Sequence, residues 1–333
     1  MTQMRCRGCN ALLLSCVLLF ATVEETAIAG EGVRPPITAA AFAPDGKSVV
    51  LGSQLGIEVR SWPELKTLRQ LAVRMDHVHD LAFSPKGDVL IAVGGSPGEE
   101  GICQWSSWPD GKELRRETLH TDLVTAAVWS ESGALATASS DSSLRIFDKG
   151  SETAAKDSRP FSGHARGVLA LAFLPGGKKL VSAGLDQALR VWDVESGREE
   201  RSLTNHTGAI VGLAVRPIPT EEKGSEKPPA MVATIGRDKT LRLWQPSVGR
   251  MVRFARLPAE PVSLAWLRDG RAIATGCTDG RVRVIDPESL EVLHDLPAIE
   301  GWVYSLACSP DEDALLAAGE GGQVVRVAIP SGK

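Results

Sequence analysis

Residues 168–193 read VLALAFLPGGKKLVSAGLDQALRVWD. Val168 to Phe173 is a short apolar run, closed by the turn residues Leu174-Pro175-Gly176-Gly177. Lys179 to Gly184 is a second such run. After a tight turn, Ala188 to Asp193 alternates apolar and polar residues, the mark of a strand with one face buried. A more polar segment, Glu199 to Leu203, completes the unit. No part of it keeps a helical period, so the unit predicts four antiparallel strands.

The same order recurs along the chain. Apolar runs ending in a large residue before a Pro, Gly or Asp turn close at Phe42, Phe83, Trp129, Phe173, Val215, Trp266 and Cys308. The spacings are 41, 46, 44, 42, 51 and 42 residues. Seven four-stranded units with a period near 40–45 predict an all-β, seven-bladed propeller in one domain. The expected blades run near 36–73, 74–119, 120–163, 164–205, 206–257, 258–299 and 300–333.

Composition agrees with many turns between short strands. The chain has 333 residues, with 33 Gly and 20 Pro. Its formal net charge is -4, so no basic field points to nucleic acid as a partner. The N-terminus has a different character. Arg5 and Arg7 precede an apolar stretch from Ala11 to Ala21, and Ala27-Ile28-Ala29 is a small-x-small pattern. Residues 1–29 read as a secretory signal peptide, with an uncleaved anchor as the alternative. The stretch is short for a membrane span, which needs roughly 20 apolar residues. The reading is an exported protein, periplasmic or extracellular, with residues 30–333 as the mature propeller and no integral membrane span. Cys6, Cys9 and Cys16 leave with the signal. Cys103, Cys277 and Cys308 are expected as buried free thiols.

The repeats resemble the WD40-repeat family, in a bacterial, exported form. His164, Ser182, Asp186 and Trp192 match that family's structural tetrad, and so do His206, Thr234, Asp238 and Trp244. In both sets the Ser or Thr lies four residues before the Asp, and the Trp six after it. The resemblance implies that the Asp accepts from the His and that the Ser or Thr joins the His to the Trp. His120, Thr137 and Asp141 keep three members, with Phe147 in place of Trp. Thr275 and Asp279 keep two, with Ile285 for Trp and no His. The first, second and seventh blades have lost the pattern. Family members close the ring by borrowing an outer strand from the N-terminus. Glu31 to Arg34 is therefore expected as a short closing strand, with a three-stranded blade seven as the alternative. Two insertions stand out, Gly95 to Gly101 in blade two and Pro217 to Pro229 in blade five.

No catalytic constellation is visible: there is no G-x-S-x-G elbow, no H-E-x-x-H and no phosphate loop. The pair His77 and His79 could face one way in a strand and share a metal, but two ligands make no site. No metal or cofactor is expected, and no enzyme. The resemblance implies partner binding on the top face, with contact positions six and four residues before each large residue and one before the tetrad Asp. The residues that stand out there are Trp302, Tyr304, His77, His79, Arg237, Leu123 and Glu260. The expected function is a non-catalytic scaffold for a protein or peptide. The alternative is an extracytoplasmic propeller enzyme or metal-binding protein with its site at the channel mouth.

Overall fold

The computed structural model describes residues 34–148, 158–217, 229–311 and 314–330. Among these, strands form seven antiparallel sheets in chain order, six of four strands and one of three. The blades span 39–71, 78–120, 124–162, 168–203, 210–256, 261–297 and 305–328. The protein is a seven-bladed β-propeller.

The strand types follow from what each strand must bury. In blade one the second strand, Ser48–Ser53, is buried along its whole length. Successive side chains of a strand face opposite ways. Val49 and Leu51 accordingly enter a cluster with Leu316 and Ala318 of blade seven. Val50 enters another with Val78, Leu81 and Leu90 of blade two. Equivalent clusters join two to three, three to four, four to five, five to six and six to seven. Seven interfaces for seven blades mean the ring is closed by side-chain burial. The outer strands carry only one covered face, and Thr67–Leu71 and Glu199–Leu203 are mostly exposed.

Blades four and five carry a directed polar chain. Trp192 Nε1 can only donate, and it donates to Ser182 Oγ at 2.8 Å. The Ser182 hydroxyl proton then goes to His164 Nε2, 2.7 Å away. His164 Nδ1–H donates to Asp186 at 2.9 Å, and the same carboxylate takes the Ala165 N–H. Trp244, Thr234, His206 and Asp238 repeat the chain at 2.8, 2.8 and 2.9 Å. In blade three, His120 bonds Thr137 at 3.0 Å and Asp141 at 3.1 Å, with Ser143 added at 3.0 Å. Phe147 offers no donor and packs instead against Trp105.

The remaining blades solve the same problem with other residues. The tetrad His stands nine residues before the large residue ending the first strand. In blade two that place is Arg74, whose backbone N–H donates to the buried Gln104 amide at 3.1 Å. The Gln104 NH2 donates in turn to Ala72 O at 2.9 Å. In blade six the place is Leu257, which is buried, and Arg283 donates to both oxygens of Asp279 instead. In blade seven it is Ile299, packed against the core between blades six and seven.

Several expectations need adjusting. The Gly95 to Gly101 insertion forms the tip of the hairpin between the second and third strands of blade two, with its turn at Pro97 to Glu99. It lengthens the hairpin, because Gly95 pairs with Gly101 and Ser96 with Glu100. Cys103 and Cys277 are buried free thiols, but Cys308 is only half-buried. Blade seven has three strands among the described residues, and Ile37 N–H donates to Gly319 O at 2.9 Å across the junction. Glu31 to Val33, residues 1–29 and most of the Pro217 to Pro229 insertion lie outside the described residues.

Ser182→Ala would leave both His164 Nε2 and Trp192 Nε1 buried without partners. The expected loss is about 2–4 kcal/mol, measured by urea unfolding. Ser106→Ala, at the equivalent of the Trp position in blade two, should cost far less.

Candidate functional site

The top mouth of the channel is built by backbone geometry repeated from blade to blade. The first strand of each blade lies innermost. In five of them one extra residue bulges out of register with the second strand: His79, Thr125, Leu169, Val211 and Val262. A bulge bends the strand and re-aims its side chain. These are the positions four before each large residue, so the bulge sets them apart from the regular alternation of the strand. Thr38 and Tyr304 hold the same place in blades one and seven, just ahead of their strands.

A second repeated bond fixes the neighbouring positions. The carbonyls of His77, Leu123, Gly167, Ala209, Glu260 and Trp302 accept from the amides of Gly95, Ser140, Leu185, Arg237, Thr278 and Glu320. The distances are 2.9 to 3.3 Å. The position six before the large residue is thereby tied to the turn between the second and third strands in six blades. Ser139 and Cys277 stand beside this bond in blades three and six, but in blades two and seven the carbonyl comes so close that the place needs glycine. A Cβ on Gly94 would stand 1.7 Å from His77 O, and one on Gly319 would stand 1.9 Å from Trp302 O.

The singled-out residues separate on this frame. Trp302 and Tyr304 are half-buried, with ring centroids 5.7 Å apart and tilted by 45°. Their loop is held from behind: Trp302 N–H donates to Glu320 Oε2 at 3.0 Å, and the Gln323 amide bonds Glu300 on both sides. His77 and His79 are also half-buried by surface, with rings 6.3 Å apart and tilted by 53°. They do not share one face of a regular strand as alternation would suggest. His77 precedes the strand Val78–Phe83, and His79 is its bulge. Arg237 is exposed and lies 3.9 Å from Glu260, so those two partly satisfy each other. Leu123 is only 7% exposed, so its side chain is taken out of water and offers no contact surface, contrary to its expected place among the top-face residues. Blade one, which lies between the aromatic and histidine pairs in the ring, contributes Thr38. Its hydroxyl bonds Val78 O and Gly52 O.

Two titrating groups on blade two have opposite shifts. His79 is pushed down to about 4 by burial, with the nearby His77 adding to it, so it is neutral at pH 7. Its Nε2 is buried with no hydrogen-bond partner among the described residues. Asp80 is pushed up to about 6 by desolvation, against the pull of the Ala127 and Leu81 amides it accepts from. That bond to Ala127 reaches the free inner edge of blade three. The two residues are 47 apart in the chain, so nothing local in the sequence marks this contact. Among the described residues no three His, Cys, Asp or Glu side chains gather as a metal set. The arrangement is a fixed surface that carries a half-buried pair of aromatic rings.

Comparisons with known proteins agree with the repeats. Residues 111–148 and 156–193 match the family described as WD domain, G-beta repeat. Residues 232–307 match the WD40 domain of anaphase-promoting complex subunit 4. Telomerase protein component 1 of Mus musculus is 25% identical over 284 residues, 80% of this chain and 10% of that protein. THO complex subunit 3 of Arabidopsis thaliana is 30% identical over 141 residues, 41% of this chain and 42% of that protein. Nuclear distribution protein nudF of Aspergillus niger is 31% identical over 241 residues, 67% of this chain and 52% of that protein. The chain thus spans between a tenth and about half of the length of these relatives.

The shifts set two opposing pH dependences. His79, lowered in the fold, contributes stability above pH 6.5 that is lost as pH falls toward 4. Asp80, raised in the fold, contributes stability below pH 3.8 that is lost as pH rises through 6. Asp80→Asn keeps an acceptor for Ala127 N–H without the charge. Relative to wild type it should gain about 2–3 kcal/mol between pH 4 and pH 8. Thermal unfolding followed across that range measures it, and a constant difference would contradict the assignment.

Proposed function

Taking this chain as a WD40-repeat protein folded into a seven-bladed ring, we propose that it is a non-catalytic scaffold that binds a protein or peptide partner. The binding surface is the top mouth of its channel, on the sector of blades seven, one and two. The observation that carries this is the half-buried Trp302 and Tyr304 pair on a loop held in place by Glu320 and Gln323. Large aromatics that are already ordered make strong anchors, because little side-chain freedom remains to be lost on binding. His77 and His79 extend the same sector.

The relatives support protein partners in general terms. One is by name a subunit of the THO complex, and a subunit works among other proteins. The apolar residues of the mouth favour the same reading. Leu169, Val211 and Val262 hold bulge positions where a cofactor-binding channel would carry charges.

The rival reading is an extracytoplasmic enzyme or metal-binding protein with its site at the mouth. One observation favours it, the buried and unpartnered Nε2 of His79 beside the His77 ring. Metal analysis of the purified protein separates the two, since a stoichiometric ion lost in His77→Ala would support the rival. Location is proposed from residues 1–29 alone, as a bacterial protein acting in the periplasm or beyond the cell. The relatives named above are eukaryotic.

Crosslinking in the native cells followed by mass spectrometry should recover a protein partner with the wild-type chain. Trp302→Ala and Tyr304→Ala should each reduce recovery about tenfold or more, as expected for an anchor worth at least 1.4 kcal/mol. Ser140→Ala, on the top of blade three, should not. Equal recovery with all three would remove the proposed surface.

A further inference from the structure

The opposite face of the ring carries a cavity that the top-face reading leaves unused. It has a volume of about 400 Å³ and is open to solvent. It is formed where the turns between first and second strands of blades six, seven, one and two converge. Phe42 and Phe83, the last residues of two innermost strands, line it together with Pro44 and Pro310. Lys86 and Arg268 flank it, both exposed.

This cavity is rigid. Gly87 has φ +73° and lies where a Cβ would meet Pro44 at 2.7 Å. Gly46 has φ +66° and lies where a Cβ would meet Pro310 at 3.1 Å. Each turn thus seats its glycine against the proline of the preceding blade. Backbone bonds close the same turns, Gly46 N–H to Ala43 O at 2.9 Å and Gly87 N–H to Ser84 O at 2.8 Å. The aromatic walls are fixed too, because Phe42 meets Trp62 edge-on at 4.8 Å and Phe83 meets Trp108 at 5.0 Å. A preformed apolar wall with a few polar groups is the usual make-up of a binding site.

The charges define the occupant. Asp45 also lines the cavity and keeps its charge, but its carboxylate is held within its own turn by Lys47 N–H at 2.8 Å and by Ser48, and the two cations leave the lining net positive. Lys86 and Arg268 have no carboxylate partner among the described residues. Two cations with free donors beside apolar walls fit carboxylates carried on an apolar chain. They are too few to follow a nucleic-acid backbone, and the net charge of -4 opposes one. The open shape suits an extended segment. We propose that this bottom-face cavity is a second binding site, which takes an acidic peptide segment of a partner protein. Its carboxylates lie between Lys86 and Arg268, and its apolar side chains rest against Phe42 and Phe83.

The test is fluorescence anisotropy on the full chain, with a fluorescein-labelled peptide of three Pro-Leu-Asp-Glu repeats. Binding should be saturable and should weaken about tenfold or more in the double variant Lys86→Glu, Arg268→Glu. The Asn/Gln counterpart of the peptide should bind far more weakly. A peptide of Pro-Leu-Lys-Lys repeats should recover binding on the charge-reversed protein. Both substituted side chains are exposed, so the thermal midpoint should hold, and Lys86→Gln with Arg268→Gln gives a milder version of the same loss. Trp302→Ala should leave this binding unchanged. The proposal is overturned by no saturable binding to wild type, by equal affinity for the neutral peptide, or by binding that survives charge reversal. Loss of binding in Trp302→Ala would also overturn it, by moving the peptide to the other face.

Discussion

A blade of this chain has apolar side chains on both faces, and only another blade can cover them. Everything else follows from that requirement. Val49 and Leu51 need Leu316 and Ala318 on one side, while Val50 needs Val78 and Leu90 on the other. The last blade must therefore return to the first, and the cluster around Ile37, Leu51 and Leu316 is where it does so. Burial of this kind is non-directional and proportional to area. It tolerates any apolar residue of suitable size, which is why the blades differ so much in sequence.

The polar chains have a different task. They fix turns rather than close the ring. In blades four and five every donor and acceptor from the indole N–H to the carboxylate is satisfied, and the carboxylates also take backbone amides of the turns. Buried polar networks are favourable only when every member is satisfied. A blade that loses one member must therefore replace the rest. Blade two does so with Gln104, blade six with Arg283 on Asp279, and blade seven with apolar packing at Ile299. The blades without tetrads are thus differently supported, and blades seven and two also carry the aromatic and histidine residues at the mouth.

Much of the fold was legible because its determinants are local. The seven turns, the period and the four- and six-residue spacings of Ser182, Asp186 and Trp192 all lie within one unit. The substitutes were not legible, because they join residues far apart. Gln104 meets Ala72 and Arg74 across about thirty residues, and neither end resembles a tetrad member. Counting from the large residues found the mouth positions, but not their burial. Leu123 occupies the right place and is covered, while Trp302 occupies its equivalent and is not. The bulge at His79 was hidden as well, since an extra residue in one strand leaves no mark on an apolar run. The bottom cavity depends on four turns from four blades, a convergence that only ring closure creates.

The central claim is that partner recognition sits on the sector of blades seven, one and two, and not on the regular blades. Backbone hydrogen exchange tests it most directly, compared for the free protein and its complex with the recovered partner. The account predicts slowed exchange at residues 72–79, 299–304 and 319–323. Slowed exchange confined to the top loops of blades three to five, with those segments unchanged, would contradict it.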